Sequence, residues 1–394
     1  MKILGIIAEY NPFHNGHKLH IEESKKAIPR DCAVVCVMSG DFVQRGEAAA
    51  FSKHVRAEAA IKGGADLVLE LPLPWALSSA EGFARGAVGL LGQLGCVDYL
   101  SFGSECGDID SLSVLATALM DPGLDVLIRK ELEAGISYAA ARQKALEHDL
   151  GQLASYLEAP NNILAVEYLK AIFNQRLHIE PITITRVGAG HDKPGGSASD
   201  VRTLLSAGKS IHALVPREVN SVFRRESEKG RGPVGMNALE CAILSRLRML
   251  DEAAYNALPD AGEGLGNRLF AAATDESTLD GIIAAAKTKR YALSRIRRMC
   301  MCAALGIKAG DAQGLPPYAR VLAANEMGRQ ALKQIAERTQ IPIITKPAAV
   351  NDLPNECKAL FKLESSAHDL YVLGYAAKAE RRGHEDWRIS PTML

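Results

Sequence analysis

Ile3-Leu4-Gly5-Ile6-Ile7-Ala8-Glu9-Tyr10-Asn11-Pro12-Phe13-His14-Asn15-Gly16-His17 is the stretch that decides how this chain is read. The run from Ile3 to Ala8 is short, nearly continuous in apolar residues and closed by the turn-forming pair Asn11-Pro12, as in a strand buried within a parallel sheet. From Gly16 onward Leu19, Ile21 and Ala27 sit among Lys18, Glu22, Glu23, Lys25 and Lys26, which suits an amphipathic helix. His14 and His17 therefore fall where a first strand hands over to a first helix, on one helical face. Free backbone N–H groups and the positive dipole end at such a place favour phosphate. Gly16 lets the backbone approach a ligand without a Cβ in the way. Two imidazoles there can contact the α-phosphate oxygens of a nucleotide as charge develops in an in-line displacement. The same tetrad would also fit two surface histidines capping a helix; the buried strand in front favours the phosphate reading.

Working outward, Cys32 to Met38 reads as a second buried strand, Lys53 to Lys62 as a helix and Asp66 to Leu71 as a third strand stopped by Pro72 and Pro74. A helix from Ala80 to Leu94 and a fourth strand from Val97 to Phe102, ending at Gly103, continue the alternation. This is the βαβ rhythm of an α/β, Rossmann-like, doubly wound parallel sheet, whose ligands sit beyond the carboxyl ends of the strands. His14, Ser39 and Gly103 all belong to such ends. Asp108 to about Ile172 reads as helical, and Pro181 to Val187 as a fifth strand running into a glycine-rich loop, Gly188 to Gly196. Ser197-Ala198-Ser199-Asp200-Val201-Arg202 then opens a helix. Its hydroxyls, first amides and Arg202 would suit phosphate oxygens, and they equally suit a plain N-cap.

At Gly230-Arg231-Gly232-Pro233 the composition changes, and the boundary is placed there: residues 1–229 as one domain and 230–394 as a second, mainly helical one with a short strand candidate at Ile341 to Thr345. A length of 394 residues makes two domains the default. With 46 basic and 46 acidic residues, no global charge advertises nucleic acid, so an RNA surface must come from local clustering. Lys287, Lys289, Arg290, Arg295, Arg297 and Arg298 form such a cluster around Tyr291, with no comparable run of acids beside it in sequence. Tyr318 and Arg320 could extend it, and a solvated helix face is the bland alternative. The 8 cysteines show no zinc spacing, and no leader-like segment or membrane-length apolar run is visible, which reads as a cytoplasmic protein.

The opening segment Gly5 to His17 closely resembles that of the bacterial tRNA(Met) cytidine acetate ligase family, within the HxGH nucleotidylyltransferase superfamily. Met38-Ser39-Gly40-Asp41-Phe42-Val43-Gln44-Arg45-Gly46, Gly64 to Pro72, Pro160-Asn161-Asn162-Ile163-Leu164 and Tyr291 to Arg298 resemble the same family. The resemblance implies a ligase that activates acetate with ATP as acetyl-adenylate and acetylates the wobble cytidine of elongator tRNA(Met). It also implies Mg²⁺ with the nucleotide, a catalytic first domain and a tRNA-binding second one. By the same resemblance His14, His17, Ser199 and Arg202 are expected to be catalytic. Ile7, Ala8, Glu9, Tyr10, Asn11, Pro12, Phe13, Asn15, Gly16, Lys18, Leu19, His20, Gly103, Asn161, Asn162 and Arg186 are expected to join the two histidines in binding ATP. Asp41 stands where the family more often shows asparagine, a charge that would be unhelpful against an anionic substrate. Two other readings stay open: an adenylyltransferase for a small phosphorylated metabolite, and a non-catalytic RNA-binding protein on an ATP fold. The acetate pocket and oligomeric state are not legible.

Overall fold

The computed structural model describes residues 1–136, 138–186 and 196–394, so the loop from Gly188 to Gly195 lies outside the described residues, as does Val187. In chain order the strands are β1 (Lys2–Ala8), β2 (Cys32–Ser39), β3 (Phe42–Val43), β4 (Glu47–Ala48), β5 (Leu67–Leu71), β6 (Tyr99–Ser104), β7 (Glu180–Thr185), β8 (Ala319–Ala324), β9 (Ile343–Ile344) and β10 (Thr392–Met393). Among the described residues one sheet runs β10-β8-β5-β2-β1-β6-β7, with β9 beside β8, and β3 pairs only with β4 as a hairpin. The central five strands are parallel, from Val35 opposite Leu67 across to Ser104 opposite Thr185. The expected doubly wound sheet is thus present, with strand ends close to those read from sequence.

Alternation along β2 shows why both faces are covered. Ala33, Val35 and Val37 join a core with Phe83, Ala87 and Leu91 of the helix Ala80–Gln93, whereas Val34, Cys36 and Met38 join Ile21, Ala57 and Ala60 on the other side. Every residue of β2 is buried, as the period of two requires for a strand inside two helical layers. Because β1 is flanked by β2 on one side and β6 on the other, the chain reverses direction of winding there, and the crevice opens at the carboxyl ends of these strands.

The region beyond residue 230 is mainly helical, with β9 inside the strand candidate at Ile341 to Thr345, but it also contains β8 and β10, which the sequence reading did not mark. A helical core built from Leu239, Ile243, Leu269, Ile282, Ile296 and Met299 does form. However, β8 returns to the main sheet and lies antiparallel to β5, pairing Leu67 with Ala324 and Glu70 with Arg320. β9 and β10 extend it in parallel. Tyr318 and Arg320, expected at a surface, are buried at 0% and 3% exposure. Arg320 reaches Glu70 at 3.1 Å and Asp386 at 2.8 Å, and Tyr318 donates to Glu364 at 2.6 Å. Charges this deep are stable only as pairs. No helix among the described residues is long and apolar enough to cross a membrane.

Candidate active site

β1 ends at Ala8, and the chain crosses the sheet edge through Tyr10, in a left-handed conformation at φ 45°, and the cis Asn11–Pro12 bond. Tyr10 and Phe13 are buried, and Phe13 occupies the space a Cβ on Gly63 would need. The Asn11 amide oxygen accepts from the Ala50 N–H at 2.8 Å. These side chains are anchors beneath the site, and the helix Asn15–Lys26 starts at a fixed angle above them.

The start of that helix is a capping box made of two histidines. His14 is the N-cap, and its Nδ1 accepts from the Gly16 N–H at 3.0 Å; His17 Nδ1 accepts from the His14 N–H at 3.2 Å. Each Nδ1 is therefore a proton-free acceptor, and each neutral ring carries its hydrogen on Nε2. The rings lie 3.8 Å apart between centroids. Burial, then the charge of Arg186, pushes the His14 imidazole down to about 4 despite Asp200 opposing it, and His17 is held lower than its ordinary value for the same leading reason. Neutral Nε2–H donors are what a developing phosphate charge can use without first shedding a counter-ion.

One sequence expectation is corrected here. The first backbone N–H groups are not free: Asn15 donates to the Leu214 carbonyl at 2.9 Å, Gly16 to His14 Nδ1, and His17 and Lys18 to the His14 carbonyl at 2.9 and 3.2 Å. The helix offers its dipole and imidazoles, not its amides, to an anion. Asn15 also donates its side-chain amide to Ala213 at 3.1 Å, so it ties the motif to the 211–215 turn. Lys18 and Leu19 are exposed. His20 Nε2 faces Ser101 Oγ at 3.1 Å, and burial with Arg186 lowers it to about 4.

Across the crevice, Arg186 follows β7 and donates to the Asn161 side-chain oxygen at 3.1 Å. It packs over Gly103, where a Cβ would meet its Cγ at 3.1 Å. Asn161 also donates to Glu105 at 2.6 Å, while buried Asn162 accepts from the Glu105 and Cys106 N–H groups at 2.9 and 3.2 Å. Asn162 thus shapes the turn after β6, and Asn161 with Arg186 faces the opening. A cavity of about 410 Å³ lies beside them, lined by Glu105, Tyr156 and Glu158. The second helix start, Ala198–Ser206, is capped by Ser197, whose Oγ accepts from Asp200 N–H at 3.2 Å, while Asp200 accepts from Ser197 N–H at 3.1 Å. Arg202 donates to the Asn11 carbonyl at 2.7 Å and to Ser199 Oγ at 3.1 Å, so both helix starts are physically joined.

Sequence reasoning missed Arg56. This fully buried guanidinium donates to the carbonyls of Glu9, Ser39, Gly40 and Phe51, holding the ends of β1 and β2 together. An arginine among Ala57, Ala59 and Ala60 was the available signal. Asp41 faces no substrate: it is buried, 2.7 Å from His368 Nδ1, and accepts from Lys53 N–H at 2.7 Å. His368 is pushed up to about 10 by Asp41 and Asp386 against burial, so the pair is ionic.

The basic cluster is also answered by acids, contrary to expectation, from positions distant in sequence. Arg295 and Arg290 reach Glu263 at 2.9 and 3.5 Å, Arg298 reaches Asp260 at 3.1 Å, and Arg297 reaches Glu47 at 2.7 Å. Lys287 caps the Thr288 and Tyr291 carbonyls, both at 2.6 Å. Among the described residues Lys289 has no such partner.

A family model described as HIGH Nucleotidyl Transferase matches residues 1–386. tRNA(Met) cytidine acetate ligases from Acetivibrio thermocellus and Alkaliphilus metalliredigens are 37% and 39% identical, over 98% and 99% of this chain and 98% of each relative. This chain belongs to the tRNA(Met) cytidine acetate ligase family of HIGH nucleotidyl transferases. A crystal structure of Thermotoga maritima TmcAL bound with alpha-thio ATP superposes on the family member described here with a TM-score of 0.93 at 31% identity, each chain fully covered. The apo form of that protein gives 0.94.

Proposed function

We propose that this family member is an ATP-dependent ligase that joins acetate to the wobble cytidine of elongator tRNA(Met) through acetyl-adenylate. One observation carries the reading: two neutral imidazoles with Nε2–H donors fixed by reciprocal capping, at the switch point of the sheet. An acetate oxygen attacks the α-phosphorus while His14 and His17 donate to the oxygens on which charge gathers. Ser199 and Arg202 hold the departing pyrophosphate, and Arg186 with Asn161 holds the nucleoside end. Mg²⁺ is expected to accompany the nucleotide; among the described residues no cluster of three metal-ligating side chains exists.

Residues 1–229 carry the ATP chemistry in this reading and 230–394 the tRNA surface, in a cytoplasmic enzyme. The two share the main sheet through β8, so the division is one of task. Within the basic cluster, Lys289 is the phosphate contact available at once; the arginines would have to exchange a carboxylate for RNA. The test is exchange of labelled pyrophosphate into ATP. Acetate-dependent exchange supports the ligase, a phosphomonoester requirement would assign a metabolite adenylyltransferase, and no exchange would leave a binding protein.

A further inference from the structure

The histidine capping box supplies no proton acceptor for acetyl transfer, and the inference here rests on the ligase reading. When the cytidine N4 amine attacks the acetyl carbonyl carbon, the C–N bond forms and the carbonyl–phosphate C–O bond breaks. AMP departs with that electron pair, and the nitrogen must release a proton. Neither His14 nor His17 can take it, because Nδ1 of each accepts a backbone N–H and Nε2 of each already holds a hydrogen. His20 also carries its hydrogen on Nε2, and burial with the charge of Arg186 holds its imidazole down to about 4, which makes it a weak base. Ser24 Oγ donates to the His20 carbonyl at 2.6 Å, so the 2.6 Å contact between Ser24 and Ser101 requires Ser101 to donate, and Ser101 in turn accepts from His20 Nε2.

Glu9 directly follows β1 at the switch point and is half-buried. Its Oε1 accepts from the Gln44 N–H at 2.8 Å, and Oε2 takes no hydrogen bond among the described residues. Gln44 begins the tip of the β3–β4 hairpin, which is pressed on the helix Leu293–Leu305: a Cβ on Gly46 would lie 2.5 Å from the Arg297 carbonyl carbon, and Glu47 holds Arg297 at 2.7 Å. The carboxylate therefore stands where the ATP crevice meets the basic helical region. A negative charge suits a triphosphate contact poorly and an amine proton well, so within the stretch expected by resemblance to bind ATP the Glu9 side chain is set apart from the phosphate contacts. Arg56, Arg45 and Arg202 face it from three elements and Tyr168 from a fourth; burial pushes its carboxyl up, and Gln44 with the arginines opposes that rise.

We propose that Glu9 is the proton acceptor of acetyl transfer and that the acceptor cytidine amine enters beside the tip of the β3–β4 hairpin. The test uses the full chain with ATP, labelled acetate and an unmodified tRNA(Met) transcript. Glu9→Gln keeps an acceptor for the Gln44 N–H. It is expected to slow single-turnover acetyl transfer by about 100-fold or more, while acetate-dependent pyrophosphate exchange without tRNA falls less than about tenfold. Transfer by the parent enzyme should rise with pH along a limb that Glu9→Gln lacks, and Glu9→Asp should restore that limb in part. Equal losses in exchange and transfer, near-parental transfer by Glu9→Gln, or retention of the limb would overturn the assignment. Absence of acetate-dependent exchange in the parent enzyme would remove the ligase reading, and this inference with it.

Discussion

The two helix starts that frame the crevice are built on one plan with different materials. At His14–His17 both capping acceptors are imidazoles, and the N-cap ring is 5% exposed. At Ser197–Asp200 they are a hydroxyl and a carboxylate in solvent. The first arrangement couples a structural bond to chemistry, because capping through Nδ1 obliges Nε2 to present a hydrogen. The second only satisfies helix amides, and Asp200 occupies the Ser197 N–H that a phosphate would otherwise meet. Arg202 bridges them by holding the Asn11 carbonyl.

The sharpest way to break this contrast is at residue 14. His14→Ala should lower pyrophosphate exchange by about 10²–10³-fold. His14→Asn, which keeps an N-cap acceptor, should hold the thermal midpoint near that of the parent and lose the same activity. Activity surviving in His14→Asn would reduce the histidine to a cap. Arg202→Ala removes the bridge, and we expect the KM for ATP to rise about tenfold with a smaller fall in kcat, one charge-assisted contact being worth about 1.5–3 kcal/mol. Steady-state kinetics in ATP reads this split.

Acid should separate the two starts further. Burial lowers His14 and His20 to about 4 in the folded chain from 6.5, so the unfolded chain binds more protons below pH 6.5. Stability from these rings is complete above pH 6.5 and is lost as pH falls towards 4. Thermal melts between pH 7 and 4.5 should show this slope, and His20→Asn should flatten it. Pyrophosphate exchange should likewise lack an inflection near pH 6.5. On the RNA side, Lys289→Ala should reduce the salt slope of tRNA binding by about 1, seen in titrations at several ionic strengths. Arg298→Ala should lower the melting midpoint instead. Smallest of all, Ser197→Ala should cost about 1 kcal/mol in urea unfolding with little change in exchange, since it touches only the outer cap.

The legible parts of this protein are local. Short, nearly continuous apolar runs marked β1, β2 and β5 to within a residue and β6 to within two, and the tetrad after β1 marked the crevice. β8 escaped notice because Ala319-Arg320-Val321-Leu322-Ala323-Ala324 holds an arginine and alanines that favour helix. Its place in the sheet depends on Glu70 and Asp386 neutralising that charge. Arg56 was passed over for a similar reason, since carbonyls from four separate positions satisfy it.

The sequence by itself determined the order along the chain of the five central parallel strands, the position of the two histidines and the family. Those follow from neighbours within a few residues, where backbone geometry alone sets which side chains share a face. Only the tertiary structure decided which charges are committed. Lys53 meets Asp386, 333 positions away, Asp41 meets His368, and the basic helix meets Glu263, Asp260 and Glu47. It also decided that the leading amides of the histidine helix are occupied and that its rings donate through Nε2. Pairing of a buried charge or an amide depends on distance in space, which the chain acquires only when it folds.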